Sequence, residues 1–264
     1  MEQLSYIHGT SVSEQQRLKL LNKLTNPPFI RFLDPQPDEN ILELGSGVGV
    51  LANEVAQNLR KGAVTGIEFS EEQLGQCPGE YKQLTFVQGN VHHVPFADNA
   101  FDKVYGRYIL EHVSDPDRVV KEALRVLKPG GTVYFQENAI LNLDFYPDCS
   151  RFKALWRKFV ELQSELGGDA MIGIKMYYML KRAGFHQMDL SVAPQNHHYD
   201  QQEFHMWVDN IIGNAESAKD ELIKREKVSA EEYKDAVQEL EELKFNELAS
   251  CYFCWNRIVG QKPQ

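Results

Sequence analysis

The chain has 264 residues, 42% of them apolar and 25% charged, and a formal net charge of −10. That apolar content supports a packed core and excludes wholesale disorder, and the length suits one large domain carrying insertions. The negative balance argues against a nucleic-acid partner, whose binding needs basic groups to displace counterions. No apolar run is long enough to span a membrane, and Met1-Glu2-Gln3-Leu4-Ser5 has neither the cationic start nor the apolar stretch of a signal peptide. The expectation is a cytoplasmic protein with no membrane partner.

The predicted elements alternate. Residues 1–30 form an N-terminal helical segment, with a capping box from Ser13 to Gln16, an apolar stripe of Leu18, Leu21 and Leu24, and a stop at Asn26-Pro27-Pro28. Residues 31–137 read as five strands with intervening helices. The strands lie near 40–44, 63–68, 84–87, 101–105 and 132–137, and the main helices over 50–60 and 116–127. Beyond 138 the rhythm breaks. An aromatic-rich insertion covers 138–170, a helix and strand follow within 171–193, a second helical insertion covers 194–248 with an acidic helix capped by Ser229 and Glu232, and a last strand lies within 249–264. The fold class is α/β. We expect a single domain over 1–264 with a Rossmann-like, seven-stranded, mostly parallel sheet, helices on both faces, and helical caps after strands five and six.

Four cysteines occur, at 77, 149, 251 and 254. Cys251 and Cys254 fall three apart on a predicted strand, where they point to opposite faces, and zinc would need a second ligand pair. They read as structural, in a reducing compartment, and no metal is expected.

Leu42-Glu43-Leu44-Gly45-Ser46-Gly47-Val48-Gly49 runs from an apolar strand through a glycine turn into a helix. Such a turn lets the backbone approach a ligand without a Cβ in the way. A dinucleotide fingerprint would need glycine where this chain has Val50. Glu68, at the end of the second strand, is placed to accept ribose hydroxyls, a feature that serves any nucleoside. The turn and Glu68 alone admit more than one nucleotide.

Further motifs follow in order: Gly89-Asn90-Val91 after strand three, Tyr105-Gly106-Arg107-Tyr108-Ile109-Leu110-Glu111-His112 around the end of strand four, and Leu127-Lys128-Pro129-Gly130-Gly131 before strand five. Together they resemble the class I S-adenosylmethionine-dependent methyltransferases, in particular the small-molecule enzymes of ubiquinone and menaquinone biosynthesis, over roughly 40–137. The resemblance implies S-adenosyl-L-methionine as cofactor. It implies that Gly45, Ser46 and Gly47 pack against the amino-acid part, that Glu43 fixes the ammonium directly or through water, and that Gly49 belongs to the same cofactor-binding turn. Glu68 would hold the ribose and Phe69 would lie against the adenine. Asn90 would receive the adenine amino group on its side-chain oxygen, beside Val91. Asn90 departs from the family's frequent aspartate, and the segment broken at Cys77-Pro78-Gly79 is a second departure. Arg107 would bind the cofactor carboxylate or an acidic substrate, with Arg17 a further carboxylate candidate. Tyr6 and His8 precede a helix that would fold over the cofactor, Tyr6 counting among the cofactor-binding candidates.

Methyl transfer is an in-line displacement governed by orientation and water exclusion, and a base is needed only where the acceptor must lose a proton. His112 is the expected base, with His92, His93, His197, His198 and His205 as other histidines near the predicted site or in the second insertion. The expected function is methyl transfer to an O, N or C nucleophile of a small organic acceptor by a monomer or homodimer. The alternatives are a nicotinamide oxidoreductase and a non-catalytic cofactor-binding module.

Overall fold

The computed structural model describes residues 12–79 and 81–264. They form α1 (Val12–Leu33), β1 (Asn40–Leu44), α2 (Val50–Ala56), β2 (Ala63–Glu68), α3 (Glu71–Leu74), β3 (Leu84–Gln88), β4 (Phe101–Arg107), α4 (Pro116–Val126) and β5 (Leu127–Glu137). These are followed by β6 (Asp144–Tyr146), α5 (Ser150–Glu165), α6 (Met176–Ala183), β7 (His186–His198), α7 (Gln202–Ser217), α8 (Lys219–Lys224), α9 (Ala230–Leu243) and β8 (Ser250–Gln261). The chain divides into two compact units. One comprises Thr25–Asn138, Ile172–Val192 and Asn256–Gln264; the other comprises 12–24, Ala139–Met171 and Ala193–Trp255. Helix α1 and strands β7 and β8 contribute residues to both.

In the first unit the strands lie in the order β3-β2-β1-β4-β5-β8, parallel through β5 and antiparallel between β5 and β8. Successive strands step outward from β1 to β3, and β4 then returns to the other side of β1. The crevice outside the carboxyl ends of β1 and β4 is therefore the switch point where ligands of open parallel sheets bind. Both sheet faces are apolar because both are covered. Leu42, Leu44, Val104, Val133, Phe135 and Ile258 pack under α4 and α6, while Ile41, Tyr105 and Val64 meet Phe29 and Leu33 of α1 and Leu51, Ala52 and Val55 of α2.

The stop expected at Asn26-Pro27-Pro28 is not there: α1 runs through both prolines to Leu33. Two ladder hydrogen bonds are lost to the missing N–H groups. Tertiary contacts outweigh them, since Phe29 and Leu33 are fully buried and Phe29 and Phe32 pack edge-on or tilted against Tyr105 and Tyr134.

The Lys128–Gly131 motif sits at the opposite end of the sheet from the switch point. The β4–β5 pairing jumps from Phe101↔Leu127 to Lys103↔Thr132, so the motif is a bulge. Lys128 Nζ donates to Asp102 Oδ1 (2.7 Å), whose Oδ2 accepts from the Asn40 N–H (2.9 Å), and Lys262 exchanges backbone bonds with Gly130 and Gly131.

The second unit is mainly helical, with α5, α7, α8 and α9 in mutual contact. Ser229 caps α9 in a full capping box with Glu232. The sheet has one more strand than expected. Within this unit the short β6 pairs antiparallel with β8 through Asp144↔Tyr252 and Tyr146↔Ser250. Its aromatics form a core: Trp156 stacks on Phe152 and Phe159 and donates its indole N–H to the Ile140 carbonyl, and Trp207 packs on Phe253 and Trp255. Among the described residues no helix is long and apolar enough to cross a membrane.

Candidate functional site

The glycine turn lies at the switch point. Gly45, Gly47 and Gly49 have φ of 69°, 56° and 73°, the left-handed region that favours glycine. Space forbids a side chain as well: a Cβ on Gly45 would lie 2.6 Å from Ile109 Cδ1, and one on Gly49 2.4 Å from Phe86 Cζ. The neighbouring strand holds the turn. Gly45 and Ser46 donate to the Ile67 carbonyl (2.9 and 3.0 Å), and Gly47 N–H donates to Glu68 Oε2 (2.9 Å), while Ser70 N–H takes Oε1 (2.9 Å). Each Glu68 oxygen thus receives one backbone donor and keeps capacity for another.

Glu43 precedes the turn and is buried beside the Tyr105 hydroxyl, and its Oε2 has no hydrogen-bond partner, nor has the buried Ser46 Oγ. Burial pushes the Glu43 carboxyl up to about 8, against the opposing pull of the Arg107 guanidinium. Tyr105 is raised well above the usual phenol range by burial and by Glu43. A buried acceptor without a donor is costly, and a cationic amine beside Glu43 would supply the missing donor and restore its charge. The amino-acid end and ribose of S-adenosylmethionine therefore fit the groups present: ammonium on Glu43 and Ser46, hydroxyls on Glu68.

Arg107 ends β4 on the same sheet face as Tyr105. Its Nη1 donates to Thr25 Oγ1 (3.1 Å) and its Nη2 to Asn26 Oδ1 (2.6 Å), and the guanidinium stacks over Phe29 and Tyr108. Tyr108 takes φ of 58°, a left-handed conformation unusual for an aromatic residue, and donates its N–H to the Gln136 carbonyl. Asn90 lies after β3. Its Oδ1 accepts the His92 N–H (2.8 Å) and lies 2.9 Å from His92 Nδ1. Because His92 Nε2 accepts from the Asp115 N–H (3.3 Å), Nδ1 carries the proton, and both Asn90 lone pairs are engaged. The amide nitrogen is the end left to meet a base. Phe69 is 61% exposed beside Glu68, whereas the Val91 side chain belongs to the core, leaving only its backbone to the site.

His112 closes a 3₁₀ turn, Leu110–His112, with Nε2 3.6 Å from Glu111 Oε1. Glu137, at the end of β5, holds that turn by accepting Ile109 and Leu110 N–H groups (3.1 Å each), and Asn138 Nδ2 donates to Glu111. Burial first, then the Glu111 carboxylate, raises Glu137 well above the usual carboxylate range.

Tyr6 and His8 lie outside the described residues. Arg17 is in the other unit, where it donates to Asn210 Oδ1 (2.9 Å). His197 meets Gln195, and His205 meets the Tyr199 carbonyl. Among the described residues no group of three or more His, Cys, Asp or Glu side chains could hold a metal ion. Sequence reasoning missed Tyr105, Gln136, Glu137 and Arg257. A charged residue inside the apolar strand Trp255-Asn256-Arg257-Ile258-Val259 was the signal for the last.

A parallel sheet with a G-x-G-x-G turn at its switch point, an acidic residue before the turn and another ending β2, is an arrangement that receives a nucleoside-bearing cofactor. Residues 42–135 match a family model described as a methyltransferase domain. The chain is 31% identical over 130 residues to the ubiquinone/menaquinone biosynthesis C-methyltransferase of Bdellovibrio bacteriovorus, covering 48% of this chain and 55% of that one. It is 36% identical over 138 residues to the demethylmenaquinone methyltransferase of Bacillus cereus, covering 49% and 55%. The chain thus spans about half the length of these curated relatives. An S-adenosylmethionine-dependent methyltransferase of Thermotoga maritima shares the fold, with a TM-score of 0.58 at 16% identity over 98% of this chain and 99% of that one.

Proposed function

We propose that this chain transfers a methyl group from S-adenosylmethionine to a small organic acceptor. The observation that carries the reading is the buried, partnerless Glu43 Oε2 beside a glycine turn pinned by Glu68. When bound, the cofactor supplies an electrophilic methyl group on a sulfonium. The chain's own residues bind and orient. Glu43 and Ser46 receive the ammonium, Arg107 faces the carboxylate, Glu68 takes the ribose hydroxyls, and Phe69 and the Asn90 amide border the adenine. His112, its imidazole beside Glu111, takes a proton where the acceptor must lose one. The relatives named above support a small-molecule acceptor. We place the chain in the cytoplasm, on four unbridged cysteines of which burial pushes Cys149 and Cys251 up to about 12, inert as nucleophiles.

Calorimetry with S-adenosylmethionine, S-adenosylhomocysteine and NAD tests the cofactor. Both sulfur ligands should bind and NAD should not; NAD binding without the sulfur ligands refutes the reading. Transfer of tritiated methyl groups onto metabolite extracts then separates an enzyme from a binding module.

A further inference from the structure

The sheet face that carries Glu43 and Arg107 holds a second guanidinium that the cofactor does not use. Arg107 pairs in register with Gln136, and Gln136 with Arg257, so the three side chains share one face at one level of β4, β5 and β8. They are joined by hydrogen bonds. Arg257 Nε donates to Gln136 Oε1 (2.7 Å) and Gln136 Nε2 donates to the Tyr108 hydroxyl (2.7 Å), while Arg107 donates to Thr25 and Asn26 as described. Arg257 is only 8% exposed, with its guanidinium over the Phe32 ring at 4.8 Å. Among the described residues it makes no ion pair with a carboxylate. Its charged neighbours are Arg107 and Arg31, which repel it. Two donors of the residues in this network are buried with no acceptor: Arg257 Nη2 and the Nδ2 of Asn26, itself 1% exposed.

Buried charges are ordinarily paired, and an unpaired guanidinium with an unsatisfied N–H is expensive to maintain. The cofactor's amino-acid end already matches Glu43 and Arg107. Arg257 lies two strands beyond Arg107, about 10 Å away by strand spacing. A different anion must answer it. We propose that the methyl acceptor is a carboxylic acid whose carboxylate is received by Arg257 Nη2 and Asn26 Nδ2, at the level where β4 ends. Both donors are planar N–H groups joined to one network through Arg107, Gln136 and Tyr108, with neither a lysine nor a nest of backbone N–H groups among its links, which suits the two planar oxygens of a carboxylate. This inference rests on the methyltransferase reading above.

The test splits a metabolite extract on an anion-exchange resin and assays each fraction as acceptor with tritiated S-adenosylmethionine. Acceptor activity should lie in the retained fraction, survive phosphatase, and vanish when carbodiimide amidates its carboxyl groups. Arg257→Met should lower the initial rate on limiting retained fraction at least tenfold, with recovery at high concentration, while S-adenosylhomocysteine affinity stays within about twofold. Arg257→Gln, which keeps a polar head, guards against a packing defect and should show the same loss with the same intact cofactor affinity. Activity in the unretained fraction, loss on phosphatase treatment, or wild-type rates in both variants overturns the proposal. Failure of the wild-type protein to bind S-adenosylhomocysteine overturns instead the cofactor reading beneath it.

Discussion

Cofactor binding should expel a proton from Glu43. The groups facing this carboxyl are Tyr105 and Arg107 of β4, Glu68 of β2, the Ala52 backbone of α2, and Cys77. Tyr105 is raised far beyond neutrality and Cys77 to about 11, chiefly by burial, so neither titrates between pH 6.5 and 8. His92 is held below the usual imidazole range by burial. With a value of about 8, Glu43 is ionised to about 3% at pH 6.5 and about half at pH 8, a ratio of about sixteen. An ammonium that demands the carboxylate must remove the proton first. The affinity for S-adenosylhomocysteine should therefore rise roughly tenfold or more from pH 6.5 to 8, with nearly one proton released per molecule bound at pH 6.5. Calorimetry in phosphate and in Tris reads that release as a difference in apparent enthalpy. Glu43→Gln should bind more weakly and flatten both responses. The linkage has a second face. The folded ligand-free protein holds this proton between the ordinary carboxylate range and about 8, so stability falls as pH rises through that interval, by up to about 5 kcal/mol. Equal enthalpies in both buffers at pH 6.5, with a flat affinity, would refute the assignment of Glu43 to the ammonium.

Gly49→Ala forces a left-handed alanine with its Cβ 2.4 Å from Phe86, and should cost about 2–4 kcal/mol in urea unfolding; a loss under about 0.5 kcal/mol would show that the turn adapts. Glu68→Gln replaces one acceptor oxygen by a donor, so it frees either Gly47 or Ser70 and should weaken S-adenosylhomocysteine binding about tenfold; unchanged affinity in calorimetry counts against the clamp. Burial pushes Glu122 up, but hydrogen bonds from Arg125 and the Val94 N–H outweigh it and hold the carboxyl below its ordinary value. Its contribution is therefore complete above pH 4.5 and lost as pH falls through the lower folded value, and Glu122→Gln should reduce the acid slope of the urea midpoint, which an unaltered slope would contradict.

The local part of the site was legible because it is contiguous. Glu43, the glycine turn and Glu68 announce themselves by short-range spacing and by composition at strand ends. Helix α1 was misjudged at Pro27 and Pro28 because the breaking signal is local while the force that overrides it, burial of Phe29 and Leu33, is not. Strand β7 runs to His198 rather than ending near 192, because its last residues, Gln195 to His198, are polar and its buried position there is filled by Gln195, which bonds the Pro194 carbonyl and His197. Arg257 stayed hidden for a related reason. Its partner Gln136, and the Tyr108 hydroxyl that Gln136 holds in turn, lie on other elements far away in the chain, and only strand register brings them together.

The position of β8 has a consequence for how the molecule is made. This strand comes after β5 only once the whole helical insertion has been made, yet it covers the open side of β5 and, with Lys262, stitches the bulge at Gly130 and Gly131. During synthesis β5 remains a bare edge until residues past 261 clear the ribosome. The parallel half of the sheet can assemble early, but Arg257 meets Gln136 only after that. A stalled or nicked chain would therefore carry a formed glycine turn and an exposed β5 edge, a species prone to pairing with its own kind.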